Sequence, residues 1–351
     1  MKGPSFSVVV PVYNAAGYLR ECIGGILRNA ERASGAGVEI LCVDDGSTDG
    51  SSALLDEIAS SFAAPEGTVL RVMHKPNGGA GSARNAGLDA ATGEWLLFVD
   101  ADDVLRDCWL EDICRAVERA EGSELVGFRE VSFVDAIESW DEGSGEFRLV
   151  DLSRCIPGAF AHHTIYEYAF RRSAFADMRF REYAGGGGED LVYVAQALAR
   201  AKSCLVLDKG IYGYRLTPGS AMRTAPSVRK MLDLFDYDVA MFGALAGSGK
   251  RIGLAFWLWR GNQWLEVQPR MILGHIDEPG WDSVWDAWLK SLEEARKMPF
   301  FSAWQQFVIR SVLRTRSRAV VRLLCLLPFW LNKKGILRRP DPFTPEGPEM
   351  V

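Results

Sequence analysis

Apolar and polar positions run in two alternating rhythms along the first hundred residues. Phe6–Tyr13 (FSVVVPVY) is a short β-branched run of the kind a buried strand needs. Leu19, Ile23, Ile26 and Leu27 then recur at helical spacing, with Asn14 placed to cap that helix. Val38–Asp44 (VEILCVD) reads as a second strand, broken by Asp45-Gly46-Ser47, and a helix over Ser51–Ser61 follows. Thr68–His74 is a third strand. The turn Pro76–Gly79 leads into a helix over Ala80–Ala91, and Trp95–Val99 (WLLFV) is a fourth strand. This alternation predicts an α/β fold with a mostly parallel sheet flanked by helices.

In such sheets ligands sit beyond the carboxyl ends of the strands. Polar groups gather at those ends here: Tyr13-Asn14, Asp44-Asp45, Asn77-Gly78-Gly79 and Asp100-Ala101-Asp102-Asp103. Asp100 and Asp102, two apart, share one side if the chain stays extended, and their hard oxygens suit Mg²⁺ or Mn²⁺ beside a phosphate. An acidic turn capping the next helix has the same composition. Asp44-Asp45-Gly46-Ser47 is likewise a good turn sequence. Tyr13 reads as a core ring or a stacking face, and Arg84 as a phosphate partner or a surface charge. Residue types alone leave these alternatives open.

Charge narrows the classes. Forty Lys+Arg against forty-six Asp+Glu give a net −6 over 351 residues, which argues against a nucleic-acid binder. Eleven Trp and eighteen Phe supply the apolar area that a disordered chain lacks. The seven Cys are scattered with no C-x-x-C pair, so reduced thiols and a cytoplasmic location are expected. Met1–Ser7 lacks the basic and apolar regions of a signal peptide. No apolar stretch is long enough to predict a membrane-spanning helix.

The series Pro11-Val-Tyr-Asn14, Val43-Asp-Asp-Gly-Ser-Thr-Asp49, Asn77-Gly-Gly79, Ser82-Ala-Arg-Asn85-Ala-Gly87 and Phe98-Val-Asp-Ala-Asp-Asp103 closely resembles the family 2 glycosyltransferases with the GT-A fold. A looser echo continues through Tyr168–Arg172, Gly188-Glu189-Asp190 and Tyr212–Ser220. The resemblance implies a nucleotide-sugar donor, commonly a UDP-sugar. Tyr13 would stack on the base, Pro11 would shape its loop, and Asp45, with Asp44, would hydrogen-bond the base. Gly78 would line the donor turn and Arg84 would neighbour a phosphate. Asp100 would lie near the ribose or metal, and Asp102 would coordinate a Mg²⁺ or Mn²⁺ ion on the diphosphate. Asp190 matches the family's general base, with Glu189 supporting the acceptor site. The bland reading of that pair is an acidic first turn favoured by the helix dipole.

The same resemblance implies an inverting hexosyl- or N-acetylhexosaminyl-transferase of bacterial surface polysaccharide or glycolipid synthesis, acting on a glycan or lipid-linked acceptor. The Q-x-x-R-W motif of processive synthases is absent, so non-processive transfer is expected. A non-catalytic nucleotide-sugar-binding or membrane-docking protein of the same fold is the alternative. A dinucleotide-binding dehydrogenase is disfavoured because P-V-Y-N, not G-x-G-x-x-G, follows the first strand. Gly185–Gly188 reads as a mobile loop beside the acidic pair.

Residues 1–225 are expected to form the catalytic domain, 226–340 a helical extension, and 341–351 a disordered tail. Val228–Ala246, Ala255–Val267 and a stretch near Asp282–Lys297 read as helices, with a break at His275–Trp281. Trp257, Trp259 and Trp264 fit helical packing, and His162-His163 lacks metal-ligand spacing. From Phe301 to Pro340 there are nine basic residues and no acid, which leaves −15 on the rest of the chain. Arg310, Arg314, Arg318 and Arg322 are spaced by four, opposite Val308, Ile309, Val312, Leu313, Val320, Leu323 and Leu324. One basic amphipathic helix within 300–339 is therefore predicted. It suits the inner face of an anionic membrane, and packing on the body or on a second subunit of an oligomer is the other reading.

Overall fold

A computed structural model describes residues 4–32, 35–61, 66–120, 122–134, 136–141, 143–157, 164–183, 187–217, 227–253, 263–296 and 303–326. His162-His163, Trp257, Trp259, the first half of the Gly185–Gly188 loop, most of Ala255–Val267 and the 341–351 tail lie outside them.

The elements run β1 (Ser5–Val12), α1 (Leu19–Arg32), β2 (Gly37–Asp44), α2 (Ser51–Ser61), β3 (Thr68–His74), α3 (Ala80–Ala90), β4 (Trp95–Phe98), β5 (Val104–Leu105) and α4 (Trp109–Arg119). They continue with β6 (Leu125–Phe133), β7 (Phe147–Asp151), β8 (Cys155–Ile156), β9 (Tyr168–Arg171), α5 (Glu189–Arg200) and β10 (Ser203–Arg215). The chain then forms α6 (Val228–Gly247), β11 (Arg251–Ile252), α7 (Gln268–His275), α8 (Trp281–Ala295), α9 (Ala303–Thr315) and α10 (Arg318–Val321). Two compact units result: 1–154 with 163–225, and 155–162 with 226–351. The short segment 155–162 therefore groups with the C-terminal helices rather than with the expected 1–225 domain.

The first unit is built on a nine-stranded sheet ordered β3-β2-β1-β4-β9-β6-β10-β5, with β7 also on β10. The strands β3-β2-β1-β4 are all parallel. Beyond β4 the sheet is mixed, because β9 runs antiparallel to both β4 and β6. Parallel strands buried on both faces need near-continuous apolar runs, and Val8, Val9, Val10, Ile40, Leu41 and Val43 are all fully buried. Val12, Asp44 and His74 are in register, so three strands end at one edge. Helix α3 lies directly on β1 because a Cβ on Gly87 would stand 2.4 Å from Val9 Cγ1, a contact only glycine avoids.

Asn14 does not cap α1 as expected. It has φ 50° and its Oδ1 accepts from the Thr48 amide at 2.8 Å, while α1 begins only at Leu19. The left-handed conformation is one that Asn tolerates, and it turns the side chain toward the neighbouring strand exit.

In the second unit β8 and β11 pair in parallel, and α6 packs against α8. Ser227 caps α6 by accepting from the Lys230 amide, and a buried Gln268 amide donates to Asp238 at 2.7 Å. Trp264 is core: its ring lies 4.5 Å from Phe242 and its carbonyl accepts from Trp288 Nε1. Gln263–Val267, the described part of the expected Ala255–Val267 helix, is a π-helical turn that leads directly into α7. The single basic helix also breaks. Arg316 adopts φ 49°, Ser317 stands before α10, and Arg322–Leu326 is a π-turn.

Candidate functional site

The loops leaving β1 and β2 are tied together by side-chain caps. Asp49 accepts from the Ser51 amide at 2.9 Å and the Ala16 amide at 3.1 Å, and Ser51 Oγ accepts from the Ala15 amide. Pro11 sits in β1 opposite Val43. Tyr13, just past the ladder, is 53% exposed. A half-exposed ring on a pinned loop is the geometry a stacking surface needs.

Asp44 and Asp45 diverge. Asp44 is buried and accepts from the Ser47 amide at 3.0 Å, from His74 Nδ1 at 3.0 Å and from Ser52 Oγ. Burial opposes its charge, but those hydrogen bonds outweigh it and bring the carboxyl down to about 2. The Asp44 carboxylate thus organises the entry to α2. Asp45 is also buried, and it holds the Pro76–Gly79 turn: Oδ2 accepts from the Gly79 amide at 2.7 Å, and Oδ1 from the Gly78 amide at 3.0 Å and Lys75 Nζ at 2.5 Å. The Asn77-Gly78-Gly79 turn and the Asp45 exit are therefore one unit.

The centre of the site is Arg84. It is 4% exposed, lies in the first turns of α3 and donates to two carboxylates from distant parts of the chain. One terminal nitrogen is 2.8 Å from Asp100 Oδ1, at the exit of β4, and the other is 2.6 Å from Glu189 Oε1, at the start of α5. Burial disfavours the guanidinium charge, yet Asp100, Glu189 and Asp190 together hold its pKa above the usual value. Its Nε has no hydrogen-bond partner among the described residues. The close approach of α3 to the segment before α5 requires Gly81: a Cβ there would stand 2.3 Å from the Arg181 carbonyl.

The Asp100–Asp103 loop hangs on β10. Tyr212 Oη accepts from the Asp100 amide at 3.0 Å and donates to Asp103 Oδ2 at 2.6 Å. The Arg215 amide donates to Asp103 Oδ1 at 2.7 Å, and its guanidinium donates to the Asp102 carbonyl at 2.8 Å and to Glu21 at 2.5 Å. Burial, with Asp100 nearby, pushes the Asp103 carboxyl up to about 8. Asp102 is half-buried, and burial followed by the Asp100 charge raises it as well, while Thr217 Oγ1 donates to its Oδ2 at 3.3 Å. Two neighbouring carboxylates, one raised by the other, form a donor set that a divalent cation would relieve. Mg²⁺ takes one or two carboxylates plus substrate phosphates and waters. No cluster of three or more His, Cys, Asp or Glu that could hold a metal occurs among the described residues, so substrate and water would have to complete such a site.

Helix α5 starts at Glu189, two residues earlier than the hydrophobic pattern predicts, after Gly188 at φ 91°. Glu189 and Asp190 thus both occupy the first turn. Burial and then the Glu189 charge raise the Asp190 carboxyl to about 6, opposed by Arg84. A carboxyl poised near neutrality is suited to general-base work.

Arg84, Asp100 and Glu189 form one chain of direct contacts, with Asp102 and Asp190 close enough to feel its charges, while Asp45 and Gly78 form a separate contact in the turn that leads into α3. Asp44 points its acceptors toward α2 and His74 instead. Residue reading missed Tyr212, Arg215, Thr217 and Lys75 as site supports. The signal for the first three was the Tyr212–Ser220 echo, which carried no role of its own. His74, without a visible partner in sequence, bridges Asp44 and Asp56 at 3.0 and 3.1 Å.

Residues 7–178 match the family model described as Glycosyl transferase family 2. The chain is 29% identical over 236 residues to glycosyltransferase GlyG of Streptococcus pneumoniae, covering 62% of this chain and 73% of that protein. It is 32% identical over 228 residues to the uncharacterized glycosyltransferase EpsJ of Bacillus subtilis, covering 62% of each and so less than two thirds of that relative. Among solved structures, residues 1–349 of S. aureus TarS in complex with UDP-GlcNAc share the fold, with a TM-score of 0.66 at 20% identity over 96% of this chain and 94% of that one.

Proposed function

Since the chain belongs to glycosyl transferase family 2 through its residues 7–178, we propose that it is an inverting, non-processive transferase that moves a sugar from a nucleotide diphosphate to an acceptor hydroxyl in surface polysaccharide or glycolipid synthesis. The observation that carries this reading is the Arg84 bridge between the β4 exit and the start of α5. That bridge brings the start of α5 to the exit of β4, which supports Asp190 as an acceptor base next to a donor site at the Asp100–Asp103 loop. A UDP-sugar is the proposed donor, supported by the UDP-GlcNAc held by the fold-neighbour TarS.

The exposed Tyr13 ring would stack on the base. The Pro76–Gly79 turn, set by Asp45, would line the nucleotide end. Asp102, with Asp100, would hold Mg²⁺ or Mn²⁺. A cation bound there neutralises charge on the leaving diphosphate without any proton transfer. The acceptor hydroxyl, whose own pKa lies far above neutrality, attacks the anomeric carbon as Asp190 takes its proton. Attack opposite the departing diphosphate inverts the anomeric centre. Glu189, locked to Arg84, orients the helix start that carries Asp190.

Thermal unfolding of the full chain with UDP-, GDP- and dTDP-sugars, with and without Mn²⁺, tests the proposal. A ligand at about a hundred times its Kd stabilises the folded state by about 2.7 kcal/mol. The expected outcome is a Mn²⁺-dependent rise with UDP-sugars. No shift with any nucleotide sugar, from protein that unfolds cooperatively, would overturn it.

A further inference from the structure

Helix α9 presents two different faces. Val308, Ile309 and Val312 are buried within the helical unit. Outside that buried face stand Trp304 and Phe307, each more than half exposed, with ring centroids 5.5 Å apart and planes 29° from parallel. Phe307, Arg310 and Arg314 fall at three- and four-residue steps along one stripe, and Trp304 flanks it one turn earlier. Beyond the break at Arg316, Arg322 and the 59%-exposed Leu323 are again turned to solvent.

The arginines divide in the same way. Arg318 pairs with Asp282 at 2.7 Å, and Arg316 approaches Glu293 at 3.4 Å, so these two tie the segment to α8. Arg310, Arg314 and Arg322 have no ion pair among the described residues. A solvated helix explains outward arginines. It does not explain an outward stacked Trp–Phe pair, which water disfavours and which the interfacial zone of a bilayer favours. The absence of any acid between Phe301 and Pro340 supplies the matching charge.

We propose that this stripe docks the protein on an anionic phospholipid surface, with Trp304, Phe307 and Leu323 entering the headgroup zone and Arg310, Arg314 and Arg322 meeting lipid phosphates. The inference is independent of the transferase reading, because it rests on the second unit alone. No helix among the described residues is long and apolar enough to cross a membrane.

Co-sedimentation of the full chain with vesicles of equal phosphatidylglycerol and phosphatidylcholine, against phosphatidylcholine alone, is the test. Binding to the anionic vesicles only, weakened by salt, is expected. Each arginine contributes about fivefold in affinity, so R310E/R314E should lose roughly thirtyfold or more. W304S/F307S should also lose binding while its circular dichroism and melting temperature stay at wild-type values, since neither side chain supports the core. Wild-type binding by both variants would overturn the proposal, because the stripe would then not be the contact. So would a self-associated species in sedimentation velocity that W304S/F307S dissolves, without vesicle binding by the wild type.

Discussion

Replacing Arg84 with Met keeps side-chain bulk and removes the cation. Glu189 is then left buried without its partner, Asp100 loses its charge-assisted bond, and Asp190 loses a positive neighbour that lowers its pKa. Breaking a buried ion pair by removing one member costs about 3–5 kcal/mol, since the remaining charge is uncompensated. At about 2–4 °C per kcal/mol for a unit of this size, the melting temperature should fall by about 6–20 °C. The triple variant R84M/D100N/E189Q, which neutralises the stranded carboxylates, should recover much of that loss. R84K keeps the charge but not the fork that spans two carboxylates, and it should fall between. Differential scanning calorimetry of the four proteins at neutral pH makes the comparison. The reasoning fails if R84M melts with the wild type, or if the triple variant is no better than R84M. Either result would mean that the bridge does not hold β4 and α5 together.

Tyr212→Phe removes the hydroxyl that accepts from the Asp100 amide and donates to Asp103; urea unfolding should show a loss of about 1–3 kcal/mol from the buried groups left unpaired. His74 has a pKa raised by hydrogen bonds to Asp44 and Asp56. A raised folded value stabilises the protein below the unfolded pKa, and that gain disappears as pH rises through the folded one. The stability gap between wild type and H74F, followed by urea midpoints across pH, should therefore be wide in mild acid and narrow at alkaline pH.

Much of the frame could be read from local pattern. The bounds of α2 and β3 follow directly from their punctuation, and the parallel half of the sheet follows from the alternation of strand and helix. The strand ends that carry Asp45 and Asp100 were visible for the same reason. The contacts that hold the Asp100 end were not, because the partners lie far apart in sequence. Arg84 and Glu189 are 105 residues apart, Asp103 and Tyr212 are 109 apart, and no periodicity links such positions. Asp44 and Asp45 are adjacent and of one type, so only the fold separates the carboxylate that organises α2 from the one that holds the Gly78-Gly79 turn. The break at Arg316 was hidden too, since four-residue spacing of arginines continues across a residue whose backbone leaves the helix.

Asp190→Asn keeps the shape of the α5 start and removes the proton acceptor. Sugar transfer from a UDP-sugar and UDP binding, measured on the same protein, test the account most directly. Binding should stay within about threefold of wild type while transfer falls by about two to four orders of magnitude, the range that general-base catalysis supplies. Transfer at the wild-type rate would remove Asp190 from the chemistry and contradict the arrangement built around Arg84.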